Sequence, residues 1–356
     1  MRFRLVLEPR AVPSRSMRLA APALAVALTL GFGAVLFAAL GLDPLATLRV
    51  LLVAPLGSAN GISEWLLKAS PLVLIALGLT VGFRANVWNI GAEGMFIMGA
   101  VAAGWVALHL GPDGSRWLVL PLMALAGTVG GMAWAAIPAW LKTKANTSEI
   151  LVTLMLNYVA ALFLAYLVNG PLRDPQGFNY PQSESFADAA LFPPLVPGLR
   201  INLSIFLTAG AVGLVWLLLE RSFLGFQMRV GGAAPTAARY AGFARAKSVW
   251  LALLVSGGTA GLAGMMEVAG PLGQLIPVLS PGYGFAAIIV AFIGRLSAFG
   301  VVLGGLLLSL LYLGGEAAQM SLNLPASVTR TFQGALLFFL LASDALVLYR
   351  IRLRRR

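Results

Sequence analysis

Polar residues that could bind an uncharged solute occur in two short stretches between long apolar runs. The first is Asn86–Phe96 (NVWNIGAEGMF), in which Asn89 and Glu93 supply an amide and a carboxylate. The second is Ser280–Gly284 (SPGYG), which contains Tyr283. Amide and carboxylate oxygens accept hydrogen bonds from sugar hydroxyls and from the edges of bases. We therefore predict that Asn89, Glu93 and Tyr283 contact a neutral polar solute.

Two further polar residues, Asn157 and Glu267, interrupt apolar sequence and are candidates for the same site. Carboxylates inside a membrane are energetically expensive and often mark transport pathways. Each candidate also has a structural interpretation. Asn157 could bond a neighbouring helix, and Glu267 could reach the membrane surface. Asn89 could cap a helix whose first turn holds Glu93, and the sequence leaves both interpretations open.

Several classes of chemistry are excluded by residue types that the chain lacks. It has no cysteine, and therefore no thiol nucleophile or thiolate metal site, and only one histidine, His109. No GxxxxGK[ST] segment is present to hold ATP phosphates, so any nucleotide hydrolysis must take place on another chain. No paired-carboxylate DxxD motif of a prenyl-transfer enzyme occurs. We expect a non-enzyme with no catalytic residue, no metal and no cofactor of its own.

The elements that carry these residues are predicted to be membrane-spanning helices. Hydrophobic residues make up 59% of the 356 residues, and charged residues make up 11%, against about 25% charged in a soluble domain. Several runs, such as Leu19–Leu42 and Trp117–Leu141, carry no charge over the roughly 20 residues that a spanning helix needs. We predict an all-α polytopic membrane protein with about ten spans, the eighth short enough for a half-helix. The predicted spans are 19–40, 62–83, 91–110, 117–141, 148–169, 201–219, 247–270, 282–295, 300–318 and 328–348.

The distribution of basic residues predicts the orientation of these spans. With the N-terminus in the cytoplasm, 19 of the 25 Lys and Arg residues fall on the inner side and 6 on the outer side. Cytoplasmic loops carry such an excess, so both termini are predicted to be cytoplasmic. The net charge of +12 then reflects orientation and contact with membrane lipid, and we expect no nucleic-acid partner. The first apolar run exceeds the roughly 7–15-residue core of a signal peptide, so we predict a retained first span.

The spans are predicted to form one transmembrane permease domain over residues 1–356. Each half contains a Gly-rich break, and paired interruptions of this kind point to a transport site near the membrane midplane. The similar position of the breaks in the two halves is also consistent with an internal repeat. The predicted parts are the first span 19–40, a first-half core 62–169, an extracytoplasmic loop 170–200, a cytoplasmic loop 220–246 and a second-half core 247–348.

The cytoplasmic loop contains a short predicted helix, Pro235–Tyr240, because proline suits a first helical turn and Gly242 can end the helix. Two interpretations of this helix are open. A short helix held between two spans makes a lever that a soluble partner could push. Alternatively, the arginines of the loop could hold the helix against anionic lipid headgroups.

Five blocks of sequence, in order over roughly residues 60–350, resemble a known family. The blocks are Asn89–Gly94 (NIGAEG), Thr147–Ile150 with Met155–Tyr158 (TSEI and MLNY), Arg221–Phe243, Ser256–Gly264 (SGGTAGLAG) and Gly284–Arg295 (GFAAIIVAFIGR). They resemble the permease subunits of bacterial ABC importers for simple sugars, branched-chain amino acids and nucleosides. Within that group the chain is most similar to nucleoside-type permeases that work with a basic membrane lipoprotein.

This resemblance implies a heterodimer of two related permeases, a cytosolic ATPase that holds the ATP, and an extracytoplasmic solute-binding lipoprotein. It also implies that Pro235–Phe243 forms the coupling helix that meets the ATPase. The matching coupling residues are Pro235, Ala237, Ala238, Arg239 and Gly242. Two positions depart from the family pattern: Met95 stands where glutamine is common, and Ala233–Pro235 stands where an acidic residue, asparagine and proline are common.

The expected function is therefore import of nucleosides through the bacterial inner membrane by a permease that a separate ATPase drives. Import of a simple sugar is the alternative within the family. A proton-coupled secondary transporter, with Glu93 or Glu267 as its proton carrier, is the alternative from a different class.

Overall fold

The chain folds almost entirely into helices in the computed structural model, which describes residues 3–9, 15–112 and 114–355. The helices are α1 (Arg15–Ala39), α2 (Pro44–Leu52), α3 (Ala59–Arg84), α4 (Ala92–Leu110), α5 (Arg116–Ala145), α6 (Glu149–Asn169), α7 (Ser204–Trp216), α8 (Phe223–Ala233), α9 (Pro235–Tyr240), α10 (Arg245–Glu267), α11 (Tyr283–Ile293), α12 (Ala298–Leu322) and α13 (Ala326–Leu348). Two π-helical turns, Leu217–Arg221 and Val268–Leu272, extend α7 and α10. Two short strands, β1 (Phe3–Pro9) and β2 (Tyr349–Arg355), pair antiparallel.

Within these described ranges, nine helices are long and apolar enough to cross a membrane. They coincide with nine of the predicted spans and confirm an all-α polytopic protein. The remaining predicted span, the eighth (282–295), contains α11, which has 11 residues. At about 1.5 Å per residue this helix is about 16 Å long, half of a hydrocarbon core of about 30 Å. The structure therefore confirms a half-helix at this position.

Glycines bring the backbones of α5 and α10 into direct contact. A Cβ atom on Gly261 of α10 would lie 2.2 Å from the carbonyl oxygen of Gly127 in α5. A Cβ atom on Gly131 would lie 2.1 Å from the carbonyl oxygen of Gly257. Within each helix the two glycines, Gly127 and Gly131 in α5 and Gly257 and Gly261 in α10, are four residues apart. This small-xxx-small spacing lets spanning helices approach closely. Gly99 of α4 meets the same place on α10, so the three helices form a tight core.

This glycine contact gives a first testable prediction. Gly261→Ala should lower the melting temperature of the detergent-purified protein, because overpacking a core costs about 1–3 kcal/mol. Gly258→Ala on the same helix is the matched control, since its Cβ atom would meet the flexible side chain of Met132. Equal melting temperatures for the two variants would contradict a backbone contact at Gly261.

The contacts of the chain group into two compact units, residues 1–62 with 310–356 and residues 63–309. In the first unit α1 packs on α13, and Phe37 stacks on Phe332 with 6.0 Å between ring centroids. Pairing of β1 with β2 brings the two ends of the described chain together. The second unit holds every residue of the predicted site.

The sequence prediction missed three elements of the first unit, the helix α2 and the strands β1 and β2. Helix α2 is a short apolar helix whose Asp43 side chain caps it by accepting from the Leu45 and Ala46 amides at 2.8 and 3.2 Å. The strands β1 and β2 were treated only as basic cytoplasmic tails. Their backbone pairing joins residues 340 to 352 positions apart, from Pro9 with Tyr349 to Phe3 with Arg355, and no local pattern predicts it.

Candidate functional site

The first break begins where α3 ends. Asn86 has a left-handed φ of 55°, a conformation that asparagine tolerates better than most residues. It lets the Val87 amide donate back to the Gly82 carbonyl at 2.9 Å, which closes the helix. The chain then runs without regular structure until α4 begins at Ala92. Non-helical backbone at membrane depth needs protein partners for its polar groups.

Side chains of α6 supply those partners. The Thr153 hydroxyl accepts from the Ile90 amide at 3.2 Å. The Asn157 amide donates to the Ile90 carbonyl at 2.9 Å, and its oxygen accepts from the Gly94 amide at 2.8 Å. Thr153 and Asn157 are four residues apart and therefore share one face of α6. Asn157 thus bonds a neighbouring helix, while its contact with solute stays a prediction.

Asn89 is buried, with 1% of its surface exposed. Its side chain donates to the Ser256 hydroxyl of α10 at 2.8 Å and accepts from the Gly91 amide at 2.8 Å. Gly91 is the N-cap residue, so Asn89 supports the start of α4 from two positions earlier. A Cβ atom on Gly91 would lie 2.7 Å from the carbonyl oxygen of Thr153, so glycine is needed there. These bonds define a structural role for Asn89, and its predicted solute contact stays untested.

Glu93 joins the start of α4 to the start of α11. Its carboxylate accepts from the backbone amide of Gly284 at 2.6 Å, and the Ser280 side chain also hydrogen bonds to it. The Ser280 hydroxyl accepts in turn from the Tyr283 amide at 2.8 Å. A helix N-terminus carries about half a positive charge and favours an anion. Two such N-termini therefore meet at one carboxylate.

The second break is the irregular segment between Gly273 and Gly282, which connects α10 to α11. Near its start, the Ser183 amide donates to the Leu275 carbonyl at 2.9 Å, so this end lies against the predicted extracytoplasmic loop. After the break, α11 runs to the opposite face. The Arg84 side chain at the end of α3 donates there to the Leu296 carbonyl at 2.7 Å.

The two breaks therefore enter the helical bundle from opposite faces and meet inside it. Because α11 has 11 residues, Gly284 lies about 16 Å from the face at which α3 ends. That places the contact of Glu93 with Gly284 near the middle of a hydrocarbon core of about 30 Å. The half-helix α11 thus begins near the midplane against the N-terminus of α4, and transporters bind solute at interrupted helices of this kind.

The structure gathers some of the predicted site residues and separates one. Tyr283 is buried at the start of α11, with its ring edge-on to Phe96 at 6.3 Å. Asn89, Glu93 and Asn157 lie around the start of α4, as described above. Glu267 is buried 11 residues beyond Ser256, which is about 16 Å further along α10. Thr153, Ser256 and Gly284 were not predicted as site residues. Ser256 and Gly284 lie in sequence blocks that carry the family resemblance, and Thr153 precedes Asn157 by one helical turn.

The predicted cytoplasmic loop 220–246, called the coupling loop below, contains the predicted short helix. Helix α9 spans Pro235–Tyr240, and Gly242 follows it with a left-handed φ of 78°. The Gly242 amide donates to the Arg239 carbonyl at 3.1 Å, and the Phe243 amide donates to the Ala238 carbonyl at 2.9 Å. These are the two bonds of a Schellman motif. Of the predicted coupling residues, Ala238 is buried against its own chain. The exposed ones are Pro235, Ala237, Arg239 and Gly242.

A cavity of about 510 Å³ lies between the coupling loop and the first break. Asn86 and Val87 line one wall, and α9 lines another. An ion pair between Lys142 and Glu149, 2.8 Å apart, lies on the same cavity. Its volume is within the range of about 300–1,000 Å³ that is typical of small-molecule sites. The cavity connects the loop to the segment that leads to Glu93.

Broken spans that meet inside a helical bundle, above a basic loop on one face, define a multi-pass membrane transport protein. Residues 61–341 match the family described as "Branched-chain amino acid transport system / permease component". The match covers more than half of the chain, and the chain belongs to this family. It is the permease component of an ABC transporter and a multi-pass protein of the bacterial inner membrane, as the sequence predicted.

Three relatives cover nearly the whole chain. The glucose ABC transporter permease protein TsgB13 of Haloferax volcanii is 36% identical, over 99% of this chain and 94% of its own. The guanosine ABC transporter permease protein NupP of Bacillus subtilis is 30% identical, over 93% and 95%. The nucleoside ABC transporter permease protein NupB of Lactococcus lactis is 28% identical, over 88% and 89%.

Each of these organisms also has a second, less similar relative. In B. subtilis it is the guanosine ABC transporter permease protein NupQ, 26% identical over 67% of this chain and 76% of its own. Among solved structures, a chain of PsaBC from Streptococcus pneumoniae in complex with Fab covers 81% of this chain and 91% of its own. Its TM-score is 0.44 and its identity 14%.

Proposed function

We propose that this chain is the transmembrane permease subunit of an ATP-driven importer that carries nucleosides across the inner membrane. The observation that carries the proposal is the meeting of two broken spans at Glu93 and Gly284. A carboxylate and two helix N-termini at the midplane offer both acceptors and donors to a neutral polar solute. The names of NupP and NupB as guanosine and nucleoside permeases support this solute class.

An aromatic cluster next to the first break favours a solute that contains a base. Trp88 lies 5.0 Å from Phe83 and 6.1 Å from Phe292, measured between ring centroids. Its indole is exposed, and its nitrogen donates to the Asn86 side chain at 3.0 Å. Bases stack on such rings for about 1–3 kcal/mol each. Trp88 therefore offers an exposed aromatic surface within the first break.

Glucose is a second candidate solute, because the 36% identical relative TsgB13 is a glucose permease protein. Competition for uptake separates the two candidates. In cells that contain the permease and its partners, we expect excess unlabelled adenosine to reduce the uptake of labelled guanosine and excess glucose to leave it unchanged. If the cells instead take up labelled glucose, and excess nucleosides do not reduce that uptake, the solute is a sugar and the nucleoside proposal is wrong.

The proposed partners are a cytosolic ABC ATPase, a sister permease and an extracytoplasmic solute-binding lipoprotein. The exposed residues Ala237 and Tyr240 of α9 support the first, since they offer a contact surface on a short helix between α8 and α10. The second permease relative in each of the three organisms supports a heterodimer. Membership of an ABC permease family supports the lipoprotein.

The contact with the ATPase can be tested at Tyr240, whose side chain is 88% exposed on α9. Tyr240→Asp should prevent the ATPase from co-purifying with a folded permease, because it places a charge on the proposed contact surface. Tyr180→Asp in the loop on the other face, where the tyrosine is also exposed, is the matched control. Undiminished co-purification of ATPase with the Tyr240 variant would count against α9 as the contact. Ala238 is unsuitable for this test, because a charge there would have to be buried.

A further inference from the structure

We propose that Arg84 transmits movement of the coupling loop to both broken spans, with Glu220 as its ionic partner. Arg84 and Glu220 are positioning residues, since neither lies at the midplane contact. We call Arg84, Glu220, Arg229 and Leu296 the Arg84 junction. The inference rests on the proposed function, because it explains how a push on the loop would reach the solute site.

One guanidinium group connects three separate elements. Arg84 is the last residue of α3, and its Nε donates to the Leu296 carbonyl just beyond α11 at 2.7 Å. One of its terminal nitrogens donates to the Glu220 carboxylate at 2.5 Å. The planar fork of arginine makes both bonds from one rigid group, which a lysine ammonium cannot reproduce. The ends of α3 and α11 are therefore tied to the π-helical turn Leu217–Arg221.

The same junction touches the coupling loop twice. The second oxygen of Glu220 lies 3.6 Å from a terminal nitrogen of Arg229 in α8, and Arg229 donates to the Leu219 carbonyl at 2.8 Å. Further along α8, a Cβ atom on Gly232 would lie only 2.3 Å from the Arg84 carbonyl oxygen. A side-chain ion pair and a backbone contact therefore both join α8 to Arg84. Helix α8 cannot shift against α3 without disturbing the junction.

The end of α11 has a backbone that the junction helps to hold. Arg295 and Leu296 have consecutive left-handed φ values of 51° and 53°. Non-glycine residues rarely adopt this conformation, and it persists only where surrounding contacts impose it. The bond from Arg84 to Leu296 is one such contact. Release of that bond would remove a restraint on a strained turn and would let the end of α11 relax.

Both tied elements lead to the midplane contact. From Arg84 the chain continues through the first break to Glu93, and from Leu296 helix α11 runs back to Gly284. Phe83 stacks on Phe292 at 5.3 Å and holds the two elements side by side near the junction. One movement of α8 would therefore displace the far ends of both elements that meet at Glu93. A contact network is evidence of coupling only when a perturbation shows it, so the inference requires a functional test.

The test compares uptake with ATP hydrolysis in the complete importer, reconstituted into liposomes with guanosine as the probe. Glu220→Gln keeps the shape of the side chain and removes its charge. We expect guanosine uptake per ATP hydrolysed to fall about tenfold, within the usual range of allosteric coupling factors. Basal ATP hydrolysis and the amount of assembled complex should stay at the wild-type level, because Glu220 is outside α9. Arg84→Lys should give an intermediate ratio.

Glu64→Gln is the matched control, since it breaks a comparable ion pair, with Arg200 at 3.1 Å, at a distance from the coupling loop. It should leave the ratio of uptake to hydrolysis unchanged. Equal ratios for Glu220→Gln, Glu64→Gln and wild type would overturn the role of the junction. So would a loss of uptake that merely follows a loss of assembled complex in both Glu220→Gln and Arg84→Lys. Failure of the wild-type complex to couple guanosine uptake to ATP would instead overturn the proposed function.

Discussion

Gly284→Ala is expected to reduce the initial uptake rate by about a hundredfold. A Cβ atom at this position would lie 2.2 Å from the backbone nitrogen of Glu93 and 2.6 Å from its Cα atom. No rotamer change can relieve an overlap between two backbones, so the N-termini of α4 and α11 would have to separate. Separation breaks the bond from the Gly284 amide to Glu93, and displacements of about 1 Å at a reacting site already cost about a hundredfold in rate.

Initial uptake rate and melting temperature should be measured together for this variant. Overpacking should lower stability by about 1–3 kcal/mol, so the protein should still insert and fold in part. Gly213→Ala in α7 is the matched control, because its Cβ atom would meet nothing within 4 Å. We expect the control to keep wild-type uptake. Wild-type uptake by Gly284→Ala would show that the two breaks do not meet as described.

Glu93→Gln should lower uptake by about ten- to a hundredfold with little loss of folded protein. Glutamine retains an oxygen that can accept from the Gly284 amide, so the link between α4 and α11 survives. The negative charge that each helix N-terminus stabilises by about 0.3–1 kcal/mol is lost. If the carboxylate binds solute or sets the charge of the pathway, transport suffers more than assembly.

The informative quantity is uptake divided by the amount of folded permease in the membrane. Glu184→Gln in the predicted extracytoplasmic loop is the control and should leave this ratio unchanged. Glu93→Ala should lower both quantities, because it removes the acceptor as well as the charge. A ratio for Glu93→Gln equal to that of wild type, with uptake lost only through lost protein, would assign Glu93 a purely structural role.

The helices were predictable because the membrane imposes one strong rule on the sequence. An apolar run of roughly 20 residues with few charges has few alternatives to a spanning helix, and nine helices of this kind appear within the described ranges. Helix α9 was predictable because Pro235 and Gly242 act locally, at the first turn and at the end of the helix. The half-helix α11 followed from the length of its apolar run.

The geometry of the site was not predictable from the sequence. The contact of Glu93 with Gly284 joins residues 191 positions apart, and the bond from Asn157 to Ile90 spans 67 positions. Such pairs depend on how helices pack, which local periodicity does not contain. The burial of Ala238 was equally unpredictable from the sequence, because α9 consists of six mostly small residues with no apolar stripe.

One measurement tests the central claim most directly: whether this permease needs a separate ATPase to move solute uphill. The purified chain, alone or with its sister permease, is reconstituted into liposomes, and internal guanosine is measured with and without the ATPase and ATP. We predict accumulation above the external concentration only when the binding lipoprotein, the ATPase and ATP are all present. Accumulation by the permease alone, in liposomes that contain no ATP, would contradict the claim, and dependence on a proton gradient would identify a secondary transporter.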